Sequence, residues 1–220
     1  MKVLALSDLH NSRRGAETAE RLASELRPDL IAIAGDFTNL GPDDYIRDVL
    51  GRLPVTVLAV PGNMDAGAVG PALSSGKCRN IHLRREVIGE MPFVGLGGWI
   101  NSPSLGESWG VSPDEAERAL EGLMTEGCIL LTHVPPLGHL DGVPVPATFA
   151  PDGSKEHIGS HVVLRLVERF RPRLVISGHV HEARGIERAG GTVFVNPGPA
   201  KHGFGAEIEI QQEISARLIG

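Results

Sequence analysis

The sequence of 220 residues has only two cysteines, Cys78 and Cys128, each in or beside an apolar stretch. That scarcity argues against a disulfide framework, and neither cysteine has the paired spacing of a thiolate zinc site. Both read as small buried thiols in a reducing compartment. Membrane-length apolar runs are lacking as well. The opening stretch, MKVLALSDLH, has one lysine and a short apolar run that Asp8 interrupts, too little for a secretory signal. The expected location is therefore cytoplasmic, with no membrane partner. A basic excess is also missing: 21 Lys and Arg face 27 Asp and Glu, for a net charge of -6. Broad binding to a nucleic-acid backbone needs a basic face, so that class is disfavoured, although a single focused anion site is not. Repeats, linkers and low-complexity tails are absent too, and the expectation is one domain over residues 1–220, with an oligomer admitted.

What the sequence does have is an ordinary apolar fraction, 41%, and 28 glycines and 16 prolines that punctuate short apolar runs. Val3 to Leu6, Leu30 to Ala34 and Val55 to Val60 are strand-like runs. They alternate with helical patterns over Arg13 to Leu26 and from about Pro42 to Leu50. Continuous β-branched runs separated by helices predict parallel strands in a sheet covered on both faces. Short alternating stretches between Ile81 and Trp99 predict strands of a second sheet. A helix from about Pro113 to Thr125, a strand from Cys128 to Leu131, a helix from Ile158 to Phe170 and a strand from Leu174 to Ile176 follow. Residues Pro135 to Ser154 carry no period and read as a long loop, of the kind that can cover a site. Ala189-Gly190-Gly191 between Arg184–Glu187 and Thr192–Val195 predicts a hairpin, and Phe204 to Ile210 a closing strand.

One pattern recurs five times: an apolar run ends, and a metal-capable residue stands at or just past its end. The residues are Asp8 and His10, Asp36, Asn63, His133, and His179 and His181. In parallel α/β sheets ligands bind beyond the carboxyl ends of the strands, so these side chains are expected to converge. Gly35, Gly62 and Gly178 permit the tight turns that would aim them. Each piece alone is weak, since Asp-x-His is commonly a cap and Pro-Gly-Asn commonly a turn. Their joint occurrence in strand-end context carries the signal.

The blocks Asp8-Leu9-His10, Gly35-Asp36, Gly62-Asn63-Met64-Asp65, His133 and Gly178-His179-Val180-His181 resemble, in order, those of the calcineurin-like metallophosphoesterases. Asn196-Pro197-Gly198-Pro199 and Ile158-Gly159-Ser160 resemble small bacterial and archaeal members. The resemblance implies a four-layer αββα sandwich of two mixed sheets flanked by helices, with a dinuclear metal site at the C-terminal strand edge. It implies that Asp8, His10, Asp36 and His181 bind one ion, and that Asp36 bridges to a second held also by Asn63, His133 and His179. Imidazole, carboxylate and amide ligands suit manganese first, with iron, zinc or nickel admitted. The expected function is a phosphodiesterase in which a metal-bridging hydroxide attacks a small or nucleotide-like phosphoester in line. Asp36, Asn63, His133 and Asp65 form the expected catalytic set, and Asn63, His133 and His202 the expected substrate contacts.

Position 64 departs from that resemblance. Most of the family has a histidine there, and Met64 cannot donate a proton. Asp65, the usual partner of that histidine, is kept. His139, His157, Lys201 and His202 are the alternative donors, while His82 and His161 read as structural. Trp99 and Trp109 read as core anchors beside a Gly/Ser/Pro-rich stretch. Two competing readings stand: a non-catalytic interaction module, known on this fold from the retromer scaffold subunit, and a nuclease of the same chemistry. The first predicts eroded metal ligands, yet all seven are intact; the second lacks a basic groove.

Overall fold

The computed structural model describes residues 1–41, 43–65, 69–100, 110–146, 148 and 153–220. Strands β1 (Lys2–Leu6), β2 (Leu30–Ala34), β3 (Val57–Val60) and β4 (Cys78–Asn80) run parallel in one six-stranded sheet. Its far side is completed antiparallel by β15 (Gly205–Ile210) and β16 (Ile214–Ile219). The second sheet contains β5 (Arg85–Ile88), β6 (Met91–Leu96), β9 (Ile129–Thr132), β12 (Leu174–Ile176), β13 (Gly185–Ala189) and β14 (Thr192–Asn196). There β6, β9, β12 and β14 are parallel, while β5 and β13 are antiparallel edges. Two short pairs, β7 (Trp99–Ile100) with β8 (Gly110–Val111) and β10 (Gly142–Pro144) with β11 (Lys155–His157), lie outside these sheets.

Period two along the strands decides the layering. Val3, Ala5, Ala32, Leu58 and Val60 face Phe93, Ile129, Leu131, Ile176 and Val195 across the gap between the sheets, forming a central core. The alternate residues Leu4, Leu6, Ile31, Ile33 and Val57 face outward onto helices α1 (Arg13–Leu26), α2 (Asp44–Arg52) and the short α3 (Val69–Ala72). On the other side Val94, Leu96, Leu130 and Val175 bury against α4 (Pro113–Glu121) and α5 (His161–Phe170). The result is the expected αββα sandwich with two mixed sheets.

Helix α1 buries Ala16, Ala19, Leu22 and Ala23, a three-four stripe, and Ser12 Oγ caps it by accepting from the Gly15 amide. Several expected boundaries move. Helix α2 begins at Asp44 rather than near Pro42, which lies outside the described residues. Helix α4 stops at Glu121, with Gly122 as its cap, short of Thr125. Helix α5 begins at His161 because Ser160 caps it. The expected loop over residues 135–154 instead supplies β10, whose partner β11 begins at Lys155. The strand ending at Ile210 is not the last, since β16 pairs along its whole length. Among the described residues no helix is long and apolar enough to cross a membrane.

Candidate metal centre

The carboxyl ends of β1, β2 and β3 in one sheet and β9 and β12 in the other open onto a single edge. Asp8, Asp36, Asn63, His133, His179 and His181 all stand there, with His10 just beyond Asp8. The turns that carry them depart from strand geometry. Asp8 (φ 56°), His10 (φ 52°), Asp36 (φ 53°) and His179 (φ 67°) are all left-handed, a conformation costing a non-glycine residue about 1 kcal/mol or more. Cross-turn bonds hold them: the amides of Asp8, His10 and Asn11 donate to the carbonyls of Gly35, Asp36 and Phe37 at 3.0, 3.0 and 2.9 Å. The Gly178 amide donates to the His133 carbonyl at 3.0 Å, tying the two turns of the second sheet together.

The side chains then meet as two groups. Asp8, His10 and His181 offer ligand atoms within 4.8 Å of one another, and so do Asp8, Asp36 and His133. Asn63 Oδ1 lies 2.9 Å from His133 Nε2 and 3.0 Å from His179 Nδ1, so the other two expected ligands converge beside the second group. All seven sequence-predicted ligands are thus brought together.

Two neighbours orient the imidazoles. A carbonyl can only accept, so His133 Nδ1 donates to the Ala34 carbonyl at 2.7 Å. That leaves the Nε2 lone pair pointing at Asn63 Oδ1 and, at 3.5 Å, at Asp36 Oδ1. His10 Nδ1 is likewise turned to Asn39 Oδ1 at 2.6 Å, which presents its Nε2 to Asp8 and Asp36 at 3.6 and 3.8 Å. Lone pairs facing lone pairs, in a buried site, ask for a positive charge between them.

Electrostatics point the same way. Asp8 is 1% exposed, and its Oδ1 has no hydrogen-bond partner, with His181 Nε2 at 3.2 Å. Burial pushes its carboxyl up, but the imidazoles of His10 and His181 outweigh burial and hold it well below the usual range. Burial, joined by the Asp8 charge, pushes Asp36 up. Burial, and then repulsion from His133, pulls His179 down to about 3, keeping it neutral with a free lone pair. An orphaned buried carboxylate oxygen, a neighbouring carboxyl pushed up by burial and a neutral imidazole fit divalent cations as a donor set.

The remaining candidates separate. Asp65 is fully buried, and its carboxylate accepts from the amides of Gly62, Phe37 and Thr38 and from the Thr38 hydroxyl, at 2.8, 3.2, 2.8 and 3.0 Å. It clamps the Asp36 and Asn63 turns together, and both of its oxygens are taken. Burial, and then the Asp36 charge, pushes it up to about 6. Met64 is half-buried, and its amide donates to Asp36 Oδ1 at 2.8 Å. His139 pairs with Glu187 at 2.7 Å and stacks on Phe194, and His157 binds the buried Asp141 at 2.6 Å, so both are committed elsewhere. His82 accepts from the Gly97 amide, and His161 starts α5 on an exposed position. Lys201 and the exposed His202 sit on a short turn stitched to the first strand end, where the Ala200 and Lys201 amides donate to the Ser7 and Asp8 carbonyls at 2.8 and 3.3 Å. Trp99 is half-buried with its ring 5.0 Å from that of His179, edge to face; Trp109 lies outside the described residues.

Asn39 and Ser7, whose hydroxyl donates to Asp8 Oδ2, are parts of the site that sequence reasoning missed. Ser7 could have been found as the residue between β1 and its ligand. Nothing in the sequence marks Asn39.

Comparison with known proteins places this geometry. An uncharacterised protein of Methanocaldococcus jannaschii is 28% identical over 208 residues, covering 92% of this chain and 90% of its own. The structure of a dimetal phosphatase from Danio rerio superposes with a TM-score of 0.68 at 11% identity, covering 99% of this chain and 95% of that one. An archaeal phosphodiesterase superposes with a TM-score of 0.57 at 15% identity, with both chains fully covered. Residues 1–183, which carry the seven clustered side chains, match the calcineurin-like phosphoesterases, and the chain belongs to that family of metal-dependent phosphoesterases.

Proposed function

We propose that the strand-end cluster binds two divalent ions and hydrolyses a small or nucleotide-like phosphodiester. The observation that carries this reading is Asp8 Oδ1: buried, without a hydrogen-bond partner, and 3.2 Å from His181 Nε2. In this reading Asp8, His10, Asp36 and His181 hold one ion, and Asp36, Asn63, His133 and His179 the other. Manganese suits the nitrogen and oxygen donors, as do iron, zinc and nickel. When bound, two such ions supply Lewis acidity at the phosphoryl oxygens and lower the pKa of water.

The chain's own part is positional. In this reading Asp36 serves both ions, although the carboxylate common to the two groups in the structure is Asp8. The place of Asp36 is fixed by the Met64 amide and by the Asp65 clamp behind it. Asn63 and His133 lie where they can meet a phosphoryl oxygen as well as hold an ion. Asp65 acts here as a positioning residue, since its oxygens are spent on the turns. Met64 brings no proton to the leaving group, which favours diesters of good leaving groups over monoesters. Of the alternative donors, His202 fits best: it stands on the turn whose Ala200 and Lys201 amides donate to the Ser7 and Asp8 carbonyls. The archaeal phosphodiesterase and the dimetal phosphatase are both compatible with this reading.

Manganese-loaded protein should cleave an activated aryl phosphodiester at least tenfold better, in kcat/KM, than the matching monoester. Asp36→Ala should abolish turnover. Elemental analysis without divalent metal, together with no turnover after manganese addition, overturns the enzyme reading. Metal binding without turnover would favour the interaction-module reading, for which Met64 is the supporting feature.

A further inference from the structure

Leu40 is 42% exposed, one of two large apolar side chains so exposed among the described residues. It stands on the metal edge, in the loop that follows Asp36. Its backbone is left-handed, with φ 55°, a conformation leucine adopts at a cost and asparagine tolerates. Exposure and strain together mean that folding does not select this side chain. Strain held at a functional edge is a reason to ask what it serves.

The surroundings hold the strain in place. The Leu40 amide donates to the Met64 carbonyl at 2.7 Å, and the Thr38 hydroxyl reaches the same carbonyl at 3.3 Å. Asn39, the residue before, is fixed to His10 by both ends of its amide, at 2.6 and 3.3 Å. Met64 is fixed to Asp36 through its own amide. The backbones of Leu40 and Met64 are thus joined, and each is one residue from a group that contacts or forms the metal cluster. Two adaptable apolar residues, one of them a thioether, are joined in this way next to the polar cluster, which already has Trp99 edge to face on His179.

The geometry points to Leu40 and Met64 as an apolar lip that receives an aromatic ring, an aryl group or nucleobase, esterified to the phosphate. This rests on the two-metal reading and names the substrate class for it. A thioether packs well on aromatic faces, and a branched aliphatic chain covers the area beside it. Where the family resemblance led us to expect a proton donor, the position would then contribute binding of the ring.

The test separates headgroup from ring. Phenylphosphonate and methylphosphonate share the charged group and resist hydrolysis. Each is titrated calorimetrically into the manganese-loaded chain and into the double variant Leu40→Asn, Met64→Ser. The expected result is about tenfold tighter binding of phenylphosphonate in the unmodified protein, falling to near parity in the variant, with methylphosphonate unchanged. Leu40→Asn alone should keep or raise the melting temperature, since it relieves the left-handed leucine, and this shows that the fold survives. Methylphosphonate binding with no phenyl advantage, or with an advantage that survives the double variant, overturns the lip. Failure of both probes to bind the manganese-loaded chain overturns phosphoryl binding at this site, on which the lip depends, while absence of bound metal in the loaded chain overturns the two-metal reading itself.

Discussion

A methyl group added at Gly62 would overlap the carboxylate oxygen and amide of Asp36, and one added at Gly178 would overlap the Ser7 hydroxyl and crowd Asp8 Oδ2. Neither glycine is left-handed, so the requirement is close approach, not backbone freedom. Gly178→Ala should therefore push the Asp8 turn outward and weaken manganese binding by at least tenfold; titration with unchanged affinity would refute the packing argument. The half-buried His82 makes a separate prediction about acid. Its Nδ1 accepts from the Gly97 amide at 2.9 Å, and burial, with Arg84 nearby, pulls it down to about 4. The unfolded chain binds that proton at the ordinary value near 6.5. Between the two values the unfolded state holds more protons, so stability is full above pH 6.5 and is lost as pH falls towards 4. The loss amounts to about 2–3 kcal/mol. Urea midpoints at pH 7.5 and 4.5 should show this fall, and His82→Asn, which keeps an acceptor near the Gly97 amide, should reduce it. At this scale the metal-capable residues were legible because each follows a strand. Asn39 and the Ala34 carbonyl were not, because their roles arise only when separate turns meet.

Helix α5 sits against the second sheet and is started by Ser160, whose side chain is fully buried. Its hydroxyl accepts from the Val163 amide at 3.4 Å, and its own amide donates to the Pro135 carbonyl at 2.8 Å. Ser160→Ala should cost about 1 kcal/mol, the usual worth of such a cap, and denaturant unfolding measures it directly. A change below a few tenths would show that the cap is redundant. The same serine explains an error of reading, since apolar periodicity alone cannot say that Ile158 lies before the helix. The strands with continuous apolar runs were legible for the opposite reason: burial on both faces leaves no polar residue to confuse the period. The β10–β11 pair and β16 were not. Lys155, Glu156 and His157 are all exposed, and β16 has Ser215 and Arg217 on its outward side, so neither stretch carries an apolar run. Tertiary pairing, not propensity, makes these strands.

At the scale of the whole molecule, an acidic chain of net charge -6 folds so that three carboxylates, Asp8, Asp36 and Asp65, share one buried region. The imidazoles hold Asp8 ionised, but burial and neighbouring charge push Asp36 and Asp65 up and oppose folding, and the Met64 amide and the Gly62, Phe37 and Thr38 donors relieve them only in part. Cations that bind the folded chain alone should offset the rest. By mass action, one site filled at a hundred times its dissociation constant adds about 2.7 kcal/mol. For a chain of this size that shifts the melting temperature by roughly 5–10 °C. Melting curves with manganese against chelator should show a rise of that order, growing with the logarithm of free metal. Asp36→Asn should behave differently in both arms. Without metal it removes one of the repelling charges and should melt at or above the unmodified chain. With manganese it should gain little if Asp36 is, as proposed, the ligand that serves both ions. A variant that keeps the full metal-induced rise would show that stabilisation comes from elsewhere on the acidic surface, and the carboxylate cluster would then need another explanation.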